Sequence, residues 1–301
     1  SACPSCSGNG YCSSSLNKCI CNAGFSYMDC SISDSLFNKV MDLKMDALQA
    51  IYDSFTGDFP GSNAQTLRIL AAVDVASQNP YMNTRDTFEL MNTMLDDLVD
   101  VRDKQLILSS EDQDTLIKVL DHMLTFANYD DCAVETGYTL NLAGRTVDYL
   151  ETISRSTRYT TLPSEEKSYS TSTTDVHIIK TTLCDLENIV LGANPAGPTI
   201  KFTLMDDVER LCHKSISIQY YSFSDKLFTC GDHEITSRRM LSTSDTRSRV
   251  AFKVTDDDTG EAPTFPFSFI IHFPGGTDKC EIGCVLTEFG ACQCNDPGIR
   301  S

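Results

Sequence analysis

The residue type best suited to chemistry in this sequence of 301 residues is cysteine, which occurs fourteen times in three even-numbered groups. A thiol can act as a nucleophile, bind a metal ion or form a disulfide, and the first two uses need it unpaired. Because each group is even, we expect every cysteine to be disulfide-bonded and the chain to be extracellular or at the cell surface. The groups are Cys3, Cys6, Cys12, Cys19, Cys21 and Cys30; Cys132, Cys184, Cys212 and Cys230; and Cys280, Cys284, Cys292 and Cys294.

The first group has the spacing Cys-x2-Cys-x5-Cys-x6-Cys-x-Cys-x8-Cys over 28 residues. A segment this short, without a continuous apolar run, cannot bury enough surface to hold itself together, so disulfides must stabilise it. A zinc site is the alternative, but Cys-x-Cys is a poor chelating loop and four ligands would leave two cysteines over. The spacing by itself leaves the pairing open.

The same stretch resembles an EGF-like module. The resemblance rests on the order of the spacings, on the turn Ser7-Gly8-Asn9-Gly10 before the third cysteine, and on Gly24-Phe25 between the last two. It implies that Cys3 pairs with Cys12, Cys6 with Cys19, and Cys21 with Cys30. It also implies a spacer or interaction module without an active site.

Apolar residues between positions 33 and 155 recur every three or four residues, which predicts five helices with one buried face each, packed as a bundle or array. Ser33-Asp34-Ser35 and Thr84 supply helix caps, and Ser110-x-x-Gln113 predicts a capping box. The predicted buried faces are Leu36, Val40, Leu43, Ala47 and Ile51; Leu67, Leu70, Ala71 and Val75; Phe88, Met91, Leu95 and Leu98; Leu116, Leu120, Met123 and Leu124; and Leu142, Val147, Leu150 and Ile153.

The period changes to two after a serine- and threonine-rich stretch, which we interpret as an exposed linker. The alternating segments, longest from Phe267 to Phe273, predict an antiparallel sandwich, and Cys212 and Cys230 could tie two of its strands together. The expected fold class is multidomain: a small disulfide-rich EGF-like module, an all-α helical bundle, and an all-β antiparallel sandwich with a cysteine-rich C-terminal segment. The expected boundaries are 1–32 for the module, 33–155 for the helices, 156–175 for the linker, 176–279 for the sandwich and 280–301 for the last segment.

The cysteine-rich segment 280–301 has two interpretations. Its end repeats the Cys-x-Cys-Asn of the first module, which fits a partial EGF-like module. The order of parts over residues 33–294 instead resembles the GAIN domain of adhesion receptors and related regions of polycystin and egg-jelly-receptor proteins. That family places His-Leu-Ser or His-Leu-Thr after its Cys-x-Cys, whereas Asn295-Asp296-Pro297 follows Cys294 here. We therefore expect no self-cleavage even if this fold is shared.

Catalysis is not expected. The tripeptide Asp258-Thr259-Gly260 occurs once, whereas an aspartic protease needs two such aspartates, so a turn is the better interpretation. No nucleophile elbow, P-loop or dinucleotide fingerprint is present. The histidines lie on separate predicted elements without a His-x3-His pair; they are His122, His177, His213, His233 and His272.

The formal net charge of −18 disfavours nucleic acid as a partner, because phosphate backbones would be repelled. No run of about 18 apolar residues exists, so we expect no membrane insertion within these residues. We expect no cofactor, since none of the acidic clusters has the ligand spacing of a calcium loop, although Ca²⁺ is the weak alternative to solvated acidic loops. These clusters are Asp96-Asp97, Asp130-Asp131, Asp206-Asp207 and Asp256 to Asp258.

The sequence as a whole predicts a non-catalytic extracellular building block that is structural or adhesive and acts through protein–protein contacts. Its expected partners are other protein chains, including copies of itself in a polymer such as an extracellular fibre or flagellar hair. The alternative is a receptor ectodomain of the GAIN or polycystin-like type, without self-cleavage. The expected contact regions are the EGF-like module and residues 280–294.

Overall fold

The chain forms two compact units in a computed structural model. The first unit spans residues 1–156 with 171–173 and 224–244, and the second spans 157–170, 174–223 and 245–301. The structure describes residues 5–13, 18–55, 63–99, 108–134, 142, 145–146, 149–150, 152–153, 155–157, 162, 164–191, 199–204, 212–224, 229–230, 233–234, 249–257, 267–272, 284–286 and 292–294.

The first unit begins with the predicted disulfide module. A 3-10 turn at Cys6–Gly8 precedes two short antiparallel hairpins, β1 with β2 and β3 with β4. In the first hairpin Cys12 lies opposite Cys19. The strands are β1 (Gly10–Ser13), β2 (Lys18–Cys21), β3 (Phe25–Ser26) and β4 (Ile32–Ser33).

Helices make up most of the rest of the first unit, as the period of the apolar residues predicts. They are α1 (Asp34–Phe55), α2 (Asn63–Ser77), α3 (Arg85–Val99) and α4 (Ser110–Val134). The described residues from 142 to 157 are helical as well, where a fifth helix is predicted. Two short strands, β10 (Thr229–Cys230) and β11 (His233–Glu234), also belong to this unit.

The helix caps follow the sequence closely, with one shift. The Ser33 hydroxyl accepts a bond from the Leu36 N–H, and the Thr84 hydroxyl accepts one from the Thr87 N–H. The capping box of α4 is formed by Ser109 and Asp112, each bonding the other's backbone N–H. The predicted box one residue later is therefore wrong.

Buried faces are as predicted in α3 and α4, wrong in α1, and right in α2 only for Leu70, which is 2% exposed. All eight predicted residues of α3 and α4 are at most 2% exposed. In α1, however, Met41 and Leu48 are buried while Leu43 is 70% exposed. In α2, Val73 is buried while Val75 is 69% exposed.

The different orientation of α1 has an identifiable cause. The ammonium group of Lys44 donates to the carbonyl oxygens of Ala76 and Met82, at 2.8 and 2.6 Å, and to the side-chain oxygen of Asn83 at 3.2 Å. These bonds satisfy acceptors at the C-terminal end of α2 and in the turn after it, which have no partner within a helix. A lysine thus takes a place on the inward side, and the apolar stripe beside it faces outward.

The second unit contains two antiparallel sheets, in agreement with the predicted period of two. One has the strand order β12-β9-β6-β5 and the other β14-β15-β13-β8-β7. Their strands are β5 (Glu166–Ser170), β6 (Thr174–Thr182), β7 (Val190–Leu191), β8 (Thr199–Leu204), β9 (Ser215–Phe223), β12 (Arg249–Asp256), β13 (Phe267–His272), β14 (Cys284–Leu286) and β15 (Cys292–Cys294).

Residues from both sheets form one apolar core. β9 and β12 contribute from the four-stranded sheet, β7 and β8 from the five-stranded sheet, and a 3-10 helix at Leu183–Asn188 adds two leucines. The buried members are Leu183, Leu186, Leu191, Ile200, Phe202, Ile216, Ile218, Tyr220 and Val254. This shared core is what a period of two with one apolar face per strand should produce.

The segment interpreted as an exposed linker contains β5, whose five residues pair with β6. The period of two is present there, but its members are polar. Glu166, Ser168 and Ser170 are exposed and alternate with half-buried Lys167 and Tyr169. A polar strand at the edge of a sheet has no alternating apolar residues by which the sequence could reveal it. The interpretation of this segment as a loop is therefore wrong for β5.

Candidate interaction site

The structure brings one serine, one histidine and one glutamate together, the residue types of a hydrolytic triad. The Nδ1 atom of His177 lies 2.8 Å from Glu166 Oε1 and 3.1 Å from Ser168 Oγ. In a catalytic triad the serine and the acid contact opposite ring nitrogens. Here both contact the same nitrogen, so the cluster joins β5 to β6 as a cross-strand polar contact.

Of the other histidines with described side chains, His122 and His213 are not part of this cluster. His122 lies in the first unit, where its Nδ1 is 3.4 Å from Ser77 Oγ. His213 is exposed in the turn before β9. The side chains of His233 and His272 are outside the described part of the chain, and so is the tripeptide that begins at Asp258.

The acidic cluster at Asp256 and Asp257 is partnered rather than solvated. Asp256 accepts a bond from Lys214 at 3.0 Å, and Asp257 accepts bonds from the Ser215 and Ser217 hydroxyls at 2.6 and 2.5 Å. Both carboxylates are largely buried, with 4% and 8% of the side chain exposed. The expectation of a solvated loop is wrong for this pair.

On α3 the neighbouring carboxylates point to different partners. Asp96 bonds Arg145 and the Tyr149 hydroxyl, whereas Asp97 accepts from the Tyr52 hydroxyl at 2.7 Å. The remaining acidic clusters have no described side chains. Among the described residues, no group of three or more histidine, cysteine, aspartate or glutamate side chains is arranged to hold a metal ion.

The module's cysteines form disulfides. Cys6 pairs with Cys19 and Cys21 with Cys30, which are the pairs that the EGF-like resemblance implies. Cys12 is also disulfide-bonded, and Cys3, its implied partner, lies outside the described residues.

The disulfide bonds of the later cysteines are described only for some of these residues. Cys184 pairs with Cys212, so the expected link from Cys212 to Cys230 is wrong. Where the structure describes cysteine side chains, none is a free thiol. Cys132 lies on α4 and Cys230 on β10, while Cys284, on β14, is opposite Cys294 on β15. Cys280 falls outside the described ranges, and disulfide bonding of the C-terminal cysteines remains a prediction.

Close packing in the module explains the glycine before the third cysteine. A Cβ atom at Gly10 would lie 2.5 Å from the Ile20 carbonyl oxygen and 2.7 Å from the Cys30 sulfur. The buried residues are Cys6, Cys19 and Cys30, with Cys21 and Phe25 packed against them. Sulfur atoms thus take the place of an aliphatic core, and the backbone must approach them closely.

Three tyrosines attach the module to the helices. Tyr27 of the module meets Tyr81 edge to face with ring centroids 6.5 Å apart, and Tyr81 meets Tyr129 of α4 at 5.2 Å. The ammonium group of Lys18, on β2, lies 4.9 Å from the centre of the Tyr129 ring. The Asn79 side chain donates to the Tyr27 hydroxyl at 3.2 Å. Sequence reasoning missed this junction, because its members are about fifty positions apart and follow no period.

The chain passes from the module into α1 without a linker. β4 ends at Ser33 and α1 begins at Asp34. The Asp34 N–H donates to the Gly24 carbonyl oxygen at 2.9 Å, and its carboxylate accepts from the Ser26 hydroxyl at 2.5 Å. Together with the tyrosine contacts, these bonds fix the orientation of the module on the helices. On the module, Tyr11 is 64% exposed, and tyrosine is a residue type enriched at protein interfaces.

No helix in the described part of the chain is long and apolar enough to cross a membrane. No family model matches the sequence, and no curated protein matches it. Among solved structures, the chain is similar to the full extracellular region of zebrafish Gpr126/Adgrg6, with a TM-score of 0.46 and 12% identity. The similarity covers 79% of this chain but only 32% of that one, so the chain spans about a third of that region's length.

Proposed function

We propose that this chain is a non-catalytic building block of an extracellular or cell-surface assembly and acts through protein–protein contacts. The observation that carries the proposal is the fixed position of the disulfide module on the helices. The module is attached through Tyr27, Tyr81 and Tyr129 and continues directly into α1. Such an arrangement holds an exposed residue, Tyr11, in a defined direction.

Disulfides support the extracellular location. Cystines persist in oxidising compartments and are rare in the cytosol. Pairs occur in both units, with Cys6–Cys19 and Cys21–Cys30 in the first and Cys184–Cys212 in the second. The proposed assembly is a fibre or flagellar hair, in which the module and the cysteine-rich strands β14 and β15 contact neighbouring subunits.

A second candidate is a receptor ectodomain of the GAIN or polycystin-like type that does not cleave itself. It is favoured by the order of the parts: helices, then two antiparallel sheets, then strands β14 and β15 with Cys284, Cys292 and Cys294. Denaturing gel electrophoresis of the mature protein should then show one intact band. Two fragments separated near Cys294 would contradict this form of the alternative.

Negative-stain microscopy of the native source distinguishes the two candidates. Regular polymers that bind an antibody against this chain are the result expected for a fibre subunit. Dispersed particles attached to membranes would contradict the fibre and support the ectodomain.

A variant tests the proposed contact. Tyr11→Ser should raise the concentration needed for assembly about tenfold, since a tyrosine anchor lost from an interface costs more than 1 kcal/mol. Leu162→Ser, at an exposed site in the second unit, is the control and should leave assembly unchanged. Equal assembly by the Tyr11 variant would remove this surface from the proposal.

A further inference from the structure

Two cysteines of the first unit lie outside the disulfide module. They are Cys132 on α4 and Cys230 on β10, and both of these elements belong to the first unit. The other cysteines of that unit are the six of the module, where Cys6–Cys19 and Cys21–Cys30 are formed and Cys12 is disulfide-bonded. The four C-terminal cysteines belong to the second unit. With Cys3 as the implied partner of Cys12, this division leaves Cys132 and Cys230 to each other.

The backbone brings the elements of these two cysteines together. In the sequence, β10 and β11 lie between β9 and β12, which are neighbouring strands of a sheet in the second unit. Residues 224–244 nevertheless belong to the first unit, where β10 lies against α4. A two-stranded hairpin is marginally stable by itself, and β10 and β11 have only two residues each. A covalent bond from β10 to α4 would hold this hairpin in place.

The formed disulfides indicate surroundings in which this bond would also form. Cystines occur in both units, and they persist in oxidising compartments. Joining two thiols removes two protons and two electrons from them. In exchange, a disulfide of the compartment's thiol–disulfide oxidoreductases is reduced to two thiols.

We propose that Cys132 and Cys230 form a disulfide that shields the strands β5 to β9 from tension along the chain. The two cysteines are 98 positions apart, and the loop that they close contains these five strands. Tension between the chain ends passes from residue 132 to residue 230 through the two sulfur atoms. Residues 133–229 bear none of it, so these strands cannot be drawn out as extended chain while the bond is intact.

The use of such a bond rests on the proposed function. The proposed contacts with neighbouring subunits are at the disulfide module and at β14 and β15, which precede and follow the loop in the sequence. Load carried through an assembly therefore enters the chain before Cys132 and leaves it after Cys230. The Cys184–Cys212 disulfide lies inside the loop and bears none of this load.

Peptide mapping of the full chain tests the bond itself. Trypsin cleaves after lysine and arginine, so Cys132 falls in the peptide 119–145 and Cys230 in the peptide 227–238, each with a single cysteine. After free thiols are blocked, digestion without reduction should give these two peptides linked to each other, and a reductant should separate them. The two peptides with blocked cysteines, or 119–145 linked to the module peptide 1–18, would overturn the pairing.

The stretched length of single molecules tests the shielding. The full chain is held by handles at its two ends and pulled in an optical trap without reductant. Replacing Cys132 and Cys230 by serine should lengthen the fully stretched chain by about 230–250 Å. This length corresponds to about 70 residues at 3.3–3.6 Å each, because the Cys184–Cys212 bond still holds 28 of the 98 positions.

The disulfide inside the loop supplies the matched control. Serine at both Cys184 and Cys212 should leave the stretched length of the parent chain unchanged, because those residues already bear no tension. Serine at all four positions should lengthen the chain by about 320–350 Å. The stretched length depends on the cross-links alone, so it can be measured even in a variant that folds poorly.

Two results of the pulling experiment would overturn the proposal. One is an equal stretched length for the parent and the Cys132 and Cys230 variant. The other is a lengthening of about 90–100 Å, the extent of 28 residues, in the Cys184 and Cys212 variant. Failure of the proposed function would be visible separately, as the absence of polymers in negative-stain microscopy while the linked peptides and the stretched lengths stay as expected.

Discussion

The disulfide module and the helices that follow it belong to one compact unit, yet they bury different kinds of residue. The module buries Cys6, Cys19 and Cys30, whereas α3 and α4 bury mainly aliphatic residues, methionine and phenylalanine. A core made of cystines depends on a few covalent bonds, and a core of aliphatic and aromatic side chains depends on many weak contacts. The two regions should therefore respond differently to single changes.

Removing a disulfide should give the largest difference. Replacing both Cys21 and Cys30 by serine should destabilise the module by about 2–5 kcal/mol, because no aliphatic core remains to hold it, while α3 and α4 stay folded. Native-state hydrogen exchange followed by mass spectrometry should show faster exchange in residues 18–33 and unchanged exchange in 110–134. Serine at both Cys184 and Cys212 is the control, with its effect confined to the second unit.

A methyl group at Gly10 should give the next largest effect. Its Cβ would lie 2.5 Å from the Ile20 carbonyl oxygen, which belongs to the backbone and cannot turn aside. We expect Gly10→Ala to destabilise the module by about 1–3 kcal/mol. Gly8→Ala is the matched control: its Cβ meets no atom within 4 Å, and only its positive φ of +74° opposes the change. Equal exchange rates in the two variants would contradict the close contact.

The difference between the disulfide module and the helices also explains which parts of the fold the sequence could predict. The pairs Cys6–Cys19 and Cys21–Cys30 were implied only by the resemblance to an EGF-like module, because the spacing by itself leaves the pairing open. The spacing of the apolar residues predicted the buried faces of α3 and α4 correctly. It failed in α1, where the side chain of Lys44 lies on the inward side and donates to carbonyl groups of another segment. Such acceptors arise only from tertiary structure, so no local pattern reveals them.

Other features of the site were hidden for similar reasons. Strand β5 is polar and pairs with β6 at a sheet edge, so it has a period but no apolar signal. The contacts among Tyr27, Tyr81 and Tyr129 join three distant segments. The sequence could predict that disulfides hold the module together, but its attachment to the helices is visible only in the fold.

Lys44→Met tests the helical side of the comparison. Methionine keeps the length of the side chain but leaves the Ala76 and Met82 carbonyl oxygens and the Asn83 side chain without this donor. We expect a loss of about 1–3 kcal/mol in the free energy of unfolding of the helices, measured by urea titration with circular dichroism at 222 nm. Exposed Lys39→Met is the matched control with a loss below about 0.5 kcal/mol. A more stable Lys44 variant would show that burial of the ammonium group outweighs its three bonds.

Tyr81→Leu should separate the two regions without unfolding either. It removes both edge-to-face contacts, each worth about 0.5–1.5 kcal/mol beyond area burial. Exchange should rise in residues 18–33 while both module disulfides remain, as peptide mapping without reduction can verify. Exposed Tyr11→Leu on the same module is the control. Unchanged exchange in the Tyr81 variant would mean that the direct passage into α1 alone orients the module.

The smallest expected effect lies in the second unit, at the polar contact between β5 and β6. The hydrogen bond from His177 holds the pKa of Glu166 below its ordinary value, with a further contribution from Ser168. The folded state thus favours the charged carboxylate, so its stabilisation is present above the unfolded pKa of about 4.3 and is lost as pH falls through the lower folded pKa. Because the Glu166 side chain is 50% exposed, solvent screening limits this contribution to a few tenths of a kcal/mol.

Glu166→Gln should therefore lower the melting temperature of the second unit slightly at neutral pH and converge with the parent in strong acid, as calorimetry over that range would show. Glu89→Gln, an exposed carboxylate on α3 without a partner among the described residues, should leave that transition unchanged at every pH. A Glu166 variant that stays offset from the parent in acid would mean that side-chain shape, rather than ionisation, holds the edge strand in place.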